Sequence, residues 1–228
     1  MQIAVIIPML DEAARAGGLL DDLRGRDLAE IIVVDGGSAD DTRAVVGAFA
    51  EVSLLQAGAG RARQMNAGAA AATSEVLLFL HADVRLPEDA AGQIRAALSD
   101  ERFVGGAFKT RTVHDGAGRR WIRPLLRLAD LRSRYSRLPY GDQGIFVRAS
   151  VFRALGGFPE IPLLEDLAFS ERLRDAGRVA RAPGRVRVSG RRFVERPFYY
   201  AALMNVFPAL YRLGVSPERL ARLYRRVR

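Results

Sequence analysis

Residues 77–87 read LLFLHADVRLP, an apolar run that delivers His81 and Asp83 one residue apart before the chain turns at Pro87. A carboxylate at a strand end can hold a hard divalent cation that also binds phosphate oxygens. Mg²⁺ takes only one or two protein carboxylates and leaves the rest of its shell to phosphates and water. Asp83 is the candidate carboxylate. His81 suits a supporting or weak-ligand role, more congenial to Mn²⁺ than to Mg²⁺. The competing reading is that Asp83 starts a turn and caps the helix after Pro87. Other polar residues also follow apolar runs: Asp11 and Glu12 after Ile3–Ile7, and Asp35 after EIIVV at 30–34.

Those runs must be strands for the polar residues to converge. Ile3–Ile7, Glu30–Val34, Val52–Gln56 and Val76–Leu80 are short and apolar, with turn residues around them. Between them, Ala13–Leu23, a stretch from Asp40, Asp41 and Thr42 to Phe49, and Ala62–Ala72 carry helical patterns, the aspartates and threonine offering caps. Strands alternating with helices, each strand apolar on both faces, predict an α/β fold: a mostly parallel central sheet with helices on both faces. In such sheets ligands sit beyond the carboxyl ends of the strands, where these polar residues fall.

The second half is less regular. Gly105–Val113, GIFVR at 144–148 and Val186–Ser189 predict strands. Helices are expected at Arg119–Leu131, from Ser150, near Glu165, at Phe198–Leu213 and at Pro217–Val227. Asp142 and Gln143 stand between two glycines, where backbone can approach a ligand, and are assigned to the acceptor side. His114 is expected on the surface, and Trp121 in an amphipathic core face. No repeat or linker divides the chain, which predicts one domain, with residues 1–104 as a nucleotide-binding half and 105–228 as an acceptor-binding half.

Apolar residues make up 49% and charged residues 27% of the 228, the balance of a globular domain. No apolar run approaches the ~20 residues of a membrane-spanning helix. MQIAVIIPML reads as a first strand and not a leader, so the expected location is the cytoplasm, with the inner membrane face as an alternative. Cysteine is absent, which excludes thiolate metal sites and cysteine nucleophiles. The net charge of +9 is almost all arginine, since Lys109 is the only lysine. It is densest from Arg172 to Arg228. No nucleic-acid module accompanies it, so anionic lipid or a phosphorylated substrate is the expected partner and nucleic acid is not.

Several stretches together resemble the family 2 glycosyltransferases, whose fold is the nucleotide-sugar-binding GT-A fold. These are VIIPMLDE (5–12), IIVVDGGSADDT (31–42), GRARQMNAGAAAA (60–72), VLLFLHADVRLP (76–87) and GGFPEIPLLEDLAFSERLRDAG (156–177), in the family's order. YGDQGIFVR (140–148) and SGRRF (189–193) look like a small, single-domain bacterial subgroup. The resemblance implies an inverting transfer from a nucleoside-diphosphate sugar to an unidentified acceptor, with Mn²⁺ or Mg²⁺. It implies that Pro8, Met9, Leu10 and Glu12 wall the nucleotide pocket and that Asp35 contacts base or ribose. Arg61, Arg63 and Asn66 then face the nucleotide and its phosphates, and Ala82 lies beside the donor. Asp83 matches the last acid of a metal-binding D-x-D motif whose first place is His81 here. The acidic pair Glu165-Asp166 supplies the base in Asp166, which takes the acceptor hydroxyl's proton.

Arg191 and Arg192 are candidates for the donor phosphates, or else a solvated basic strand end. Glu165-Asp166 also reads as an acidic first helical turn favoured by the helix dipole, and both readings can hold. Arg219, Arg222, Arg225, Arg226 and Arg228 interleave with Leu220, Leu223, Tyr224 and Val227. That pattern allows peripheral membrane contact or a terminal helix docked by its apolar side. Two other functions compete with glycosyl transfer: sugar-phosphate nucleotidyl transfer, and non-catalytic binding of a nucleotide or anionic lipid. The former is disfavoured because PMLDEAARAGG is not the Gly-rich basic loop it requires after the first strand.

Overall fold

The computed structural model describes residues 1–113, 130, 138–190 and 197–225; the side chains of 197–204 and of 225 lie outside that description. The first half alternates strand and helix: β1 (Ile3–Met9), α1 (Ala13–Leu23), β2 (Glu30–Asp35), α2 (Thr42–Gly47), β3 (Val52–Gln56), α3 (Arg61–Ala71), β4 (Val76–Phe79), the two-residue β5 (Val84–Arg85) and α4 (Ala90–Ala97). After β6 (Phe103–Val113) come a 3₁₀ turn at Gly141–Gln143, β7 (Ile145–Arg148), α5 (Ala149–Ala154), α6 (Glu165–Ala176), β8 (Arg178–Ser189), α7 (Pro197–Arg212) and α8 (Pro217–Arg225).

The strands form one eight-stranded sheet in the order β3-β2-β1-β4-β7-β6-β8-β5. Among the described residues four of its seven pairings are parallel: β1 with β2, β1 with β4, β2 with β3, and β6 with β8. The middle of the sheet is buried on both sides because its strands alternate between two cores. Ile3, Val5, Ile7 and Met9 of β1 join one with α1 and α4, while Ala4 and Ile6 join the other with α3 and α6. Each aliphatic side chain so buried contributes roughly 1.5–3 kcal/mol. The second core holds a ring cluster in which Phe158 and Phe169 lie 4.5 Å apart. α3 reaches β1 through Gly68, where a Cβ would stand 2.5 Å from Ile6 Cγ2.

The first half matches its predicted elements closely, except that α2 stops at Gly47, short of Phe49. β8 is longer than the predicted Val186–Ser189. Pro183-Gly184 reads as a strand breaker, yet the ladder with β6 absorbs it in an irregularity between Ala107 and Lys109. β5 was not predicted, since two residues carry no periodicity. The helix expected at Arg119–Leu131 falls outside the described residues apart from Asp130, as do His114 and Trp121.

Candidate functional site

Three strand ends and one helix start build the site. Gln64 of α3 ties two of the strand ends together, its Nε2 donating to Met9 O at 2.7 Å and to Val34 O at 2.8 Å. Buried Gln64 also fills the space beside Gly36, where a Cβ would meet its amide at 3.0 Å. Pro8 and Met9 are buried at the end of β1, and Leu10 stands out at 45% exposure. Asp11 then adopts a left-handed backbone, φ 53°. Its N–H donates to Ser38 Oγ at 3.0 Å, and its Oδ1 accepts from Ala39 N–H at 2.8 Å. Glu12 turns to Arg15 in an ion pair one helical turn away.

Asp35 is fully buried at the end of β2. Its carboxylate accepts the N–H groups of Gly37 (3.0 Å) and Ser38 (3.1 Å) and the Ser38 hydroxyl. The residue therefore organises the loop that follows β2. Asp40 does the same one turn later, accepting from Ala13 N–H and Thr42 N–H at 3.0 Å each. It thereby joins the starts of α1 and α2. Asp41 occupies the N-cap of α2 without a side-chain hydrogen bond.

At the end of β4 the chain turns through His81-Ala82-Asp83, closed by Val84 N–H to His81 O at 3.1 Å. Asp83 thus sits in a turn, as one reading held. It does not cap the next helix, whose N-cap is Asp89. Ala82 is buried while His81 and Asp83 are half-buried. His81 lies edge-on against Gly141, where a Cβ would stand 2.8 Å from His81 Cε1, 2.9 Å from Nε2 and 3.2 Å from Asp166 Oδ2. Only glycine fits there.

The opposite wall is the start of α6. Leu164 precedes it in a left-handed conformation, φ 66°, rare for a branched side chain. The two acids that follow diverge. Asp166 Oδ2 accepts Gly141 N–H at 2.7 Å and its Oδ1 accepts Leu167 N–H at 2.8 Å, holding the carboxylate beside His81. Glu165 is 2% exposed and pairs through Oε1 with Arg61 Nε at 2.9 Å. Burial pushes the Glu165 carboxyl above its usual range; the Asp166 charge adds to the rise and Arg61 opposes it. Burial works against the Arg61 charge in turn, but Glu165, Asp166, Tyr224 and Asp83 outweigh it and raise its pKa. Tyr224 brings α8 near this cluster. Tyr211 of α7 packs on the group formed by Leu138, Tyr140 and Leu167, and Arg212 reaches Glu171 at 3.3 Å.

Arg61 joins the acids, but Arg63 and Asn66 turn to the loop before α6. Arg63 pairs with Glu160 at 3.2 Å in the open. Asn66 clasps Phe158, its Nδ2 donating to Phe158 O and its Oδ1 accepting Phe158 N–H, both at 2.9 Å. This differs from the expectation that both face the phosphates. The spacing of a helix explains it, since residues two and five places after Arg61 leave its face. Gln143 is buried and Asp142 half-buried on the 3₁₀ turn beside Gly141. Arg191 and Arg192 lie outside the described residues. Sequence reasoning missed Gln64 and Gly141, whose roles rest on contacts across 25 or more residues.

No group of three or more His, Cys, Asp or Glu among the described residues forms a ready cation cage. Asp83 and His81 can supply two ligands at most, so a cation here needs ligand phosphates to complete its shell. That donor set fits Mg²⁺ or Mn²⁺, which keep few protein ligands at phosphate sites.

The family model described as Glycosyl transferase family 2 matches residues 4–156. The chain matches none of the curated proteins. Among solved structures it is similar to S. aureus TarS 1–349 in complex with UDP: 20% identity, TM-score 0.66, covering 83% of this chain and 60% of that one. The same TarS fragment with UDP-GlcNAc gives TM-score 0.65 at 20% identity, over 83% of this chain and 58% of that one. Mannosyltransferase PcManGT from Pyrobaculum calidifontis, in complex with GDP-Man and Mn²⁺, gives TM-score 0.72 at 20% identity, over 95% of this chain and 66% of that one. The chain thus spans about 60% of the TarS fragment's length. At this identity the likeness establishes the GT-A fold.

Proposed function

Because the chain belongs to glycosyl transferase family 2, we propose that it transfers a sugar, with inversion, from a nucleoside-diphosphate sugar to a hydroxyl acceptor. The observation that carries this reading is the meeting of the β4 end with the α6 start over Gly141. There His81 and Asp166 approach the same glycine, and Asp83 stands two residues from His81. UDP, UDP-GlcNAc and GDP-Man in the similar structures support a nucleotide-sugar donor.

In this reading Asp166 takes the proton of the attacking hydroxyl. Backbone N–H groups of Gly141 and Leu167 already aim its carboxylate, so little reorganisation precedes reaction. One base and no nucleophile at hand favour direct displacement. Glu165 does a different job, fixing Arg61 where its guanidinium can meet a phosphate. Met9, Leu10 and the loop ordered by Asp35 form the nucleotide wall, with Pro8 behind them. Asp142 and Gln143 lie towards the acceptor. Asp83, with His81 beside it, would hold Mn²⁺ or Mg²⁺; when bound, the ion supplies charge to stabilise the departing diphosphate. The Mn²⁺ in PcManGT supports this.

The same reading keeps the enzyme in the cytoplasm and gives α8 a role at the membrane face. No helix of the described residues is long and apolar enough to cross a membrane. Leu220 of α8 is fully buried, which docks the helix, while Leu223 is 49% exposed and Arg219 and Arg222 stand out.

Donor hydrolysis with a panel of nucleotide sugars, with Mn²⁺ and with EDTA, tests the proposal. Asp83→Ala should abolish the metal-dependent turnover with no loss of fold. Full turnover by that variant in EDTA would refute the metal's place in the reading. No turnover of any donor by the wild type would refute glycosyl transfer.

A further inference from the structure

A cavity of about 620 Å³ opens between α1, β5 and the end of β8, lined among others by Arg15, Arg26, Asp83, Arg85, Arg185 and Arg187. It is within the size range of small-ligand sites. It shares Arg15, Ala82 and Asp83 with the site above; Arg61, Glu165 and Asp166 do not line it.

Its arginines differ in how they are balanced. Arg15 pairs with Glu12, and Arg26 with Asp22 at 3.0 Å. Arg85 is pinned by its own backbone, Nη1 donating to Ala82 O at 3.2 Å and Val84 O at 3.3 Å. Arg185 and Arg187 are exposed and make no ion pair with another described residue. The strand register makes this costly. Arg187 stands directly opposite Arg85 on β5 and beside Arg111 on β6, while Arg185 stands beside Lys109. Like charges directly opposite across a strand pair destabilise it. Arg185 and Arg187, which pair with no described acid, converge on this cavity beside Arg85, and that is an arrangement an anion relieves.

We propose that this cavity binds a phosphate group, held by Arg185, Arg187 and Arg85, and that the phosphate belongs to the acceptor. Its role as an acceptor subsite rests on the glycosyl-transfer reading; its affinity for phosphate does not. Asp83 borders both sites, so an acceptor anchored here by its phosphate lies next to the donor. The phosphate is a soluble ester or a lipid headgroup, and the test separates the two.

Titration calorimetry of the full chain with inorganic phosphate and with glycerol 3-phosphate, without nucleotide, compares the wild type with Arg185→Ser/Arg187→Ser. Saturable binding by the wild type should weaken at least about tenfold in the double variant, since each charge-assisted bond is worth that much. Binding of a nucleoside diphosphate with Mn²⁺ should not change. Because Arg187 faces Arg85, Arg187→Ser alone should melt no lower than wild type in phosphate-free buffer, which separates lost binding from lost fold. Vesicles of phosphatidylcholine with and without phosphatidic acid give the lipid arm. Retention on phosphatidic acid that the double variant loses assigns a headgroup, and binding of glycerol 3-phosphate alone assigns a soluble ester. Absence of binding to all these probes, or equal binding by both proteins, overturns the proposal. So does an equal loss of nucleoside-diphosphate affinity, which would make the cavity the donor's seat. Donor hydrolysis is read independently, so the two readings can fail separately.

Discussion

The two halves of the sheet solve different problems. β3-β2-β1-β4 is parallel throughout, and β1, β2 and β4 are sunk between two apolar cores while β3 forms the edge. β7-β6-β8-β5 mixes directions, and its strands carry arginines alternating with small or aliphatic residues, as in RVARAPGRVRVS. Acids gather at the strand ends of the first half, yet Asp35 and Asp40 there are taken up with ordering loops. Asp166, from the second half, is held by backbone N–H groups with its carboxylate beside His81. The core of the first half is a scaffold that fixes positions, with Arg61, His81 and Asp83 carried at its edge; the second half supplies the carboxylate that would act as base. Substitutions in that core should cost stability, and substitution of Asp166 should cost rate.

The largest effect is expected at Asp166. Asp166→Asn keeps the shape and an acceptor oxygen for Gly141 N–H, gives up the bond from Leu167 N–H, and removes the proton acceptor. Loss of a general base costs ~10²–10⁴-fold in rate. Steady-state kinetics should show kcat falling by that factor, with donor affinity by calorimetry and the melting temperature close to wild type. If Glu165→Gln shows that collapse and Asp166→Asn stays active, the two acids have exchanged roles.

Gly68 probes the scaffold in the opposite sense. In Gly68→Ala the new Cβ would lie 2.5 Å from Ile6 Cγ2 and 3.1 Å from Val34 Cγ2. Overpacking of this kind costs about 1–3 kcal/mol, offset by up to about 1 kcal/mol of better helix propensity. Calorimetric melting should fall by roughly 2–6 °C for a chain this size, while kcat of the folded fraction holds. A variant that melts as wild type but turns over slowly would break the distinction between halves.

The same contrast explains what could be read in advance. Doubly buried strands announce themselves, so β1, β2 and β4 and the polar residues at their ends were legible from residue types alone. β8 was legible only at its end, because Pro183-Gly184 imitates a terminus that the ladder with β6 overrides. The D-x-D resemblance located His81 and Asp83, but not the contact of His81 with Gly141, which joins residues 60 places apart and depends on an absent side chain. Asn66 was legible as polar on a motif helix, and its engagement with Phe158 was not. Side-chain direction at a helix start follows from tertiary packing, which composition does not carry.

Glu165 tests the comparison most finely, because it is an acid of the second half that serves positioning. Its folded pKa is raised, chiefly by burial, so the folded state binds its proton more tightly than the unfolded chain does. The sign follows directly: as pH rises from the ordinary carboxylate range through the raised value, ionisation of Glu165 takes stability away, and above that value the full penalty is present. Glu165→Gln removes the ionisation and keeps a group that can face Arg61, whose side chain is 44% exposed. The variant should therefore match wild type in melting temperature at low pH and exceed it by roughly 2–4 °C, about 1 kcal/mol, near neutrality. Differential scanning calorimetry at several pH values reads that widening gap. A gap that narrows or reverses as pH rises would mean that Arg61 outweighs burial and that the pair is a net stabiliser. Kinetics add the second half of the test. With Arg61 less firmly fixed, KM for the donor should rise more than kcat falls, the mark of a positioning residue and not of the base.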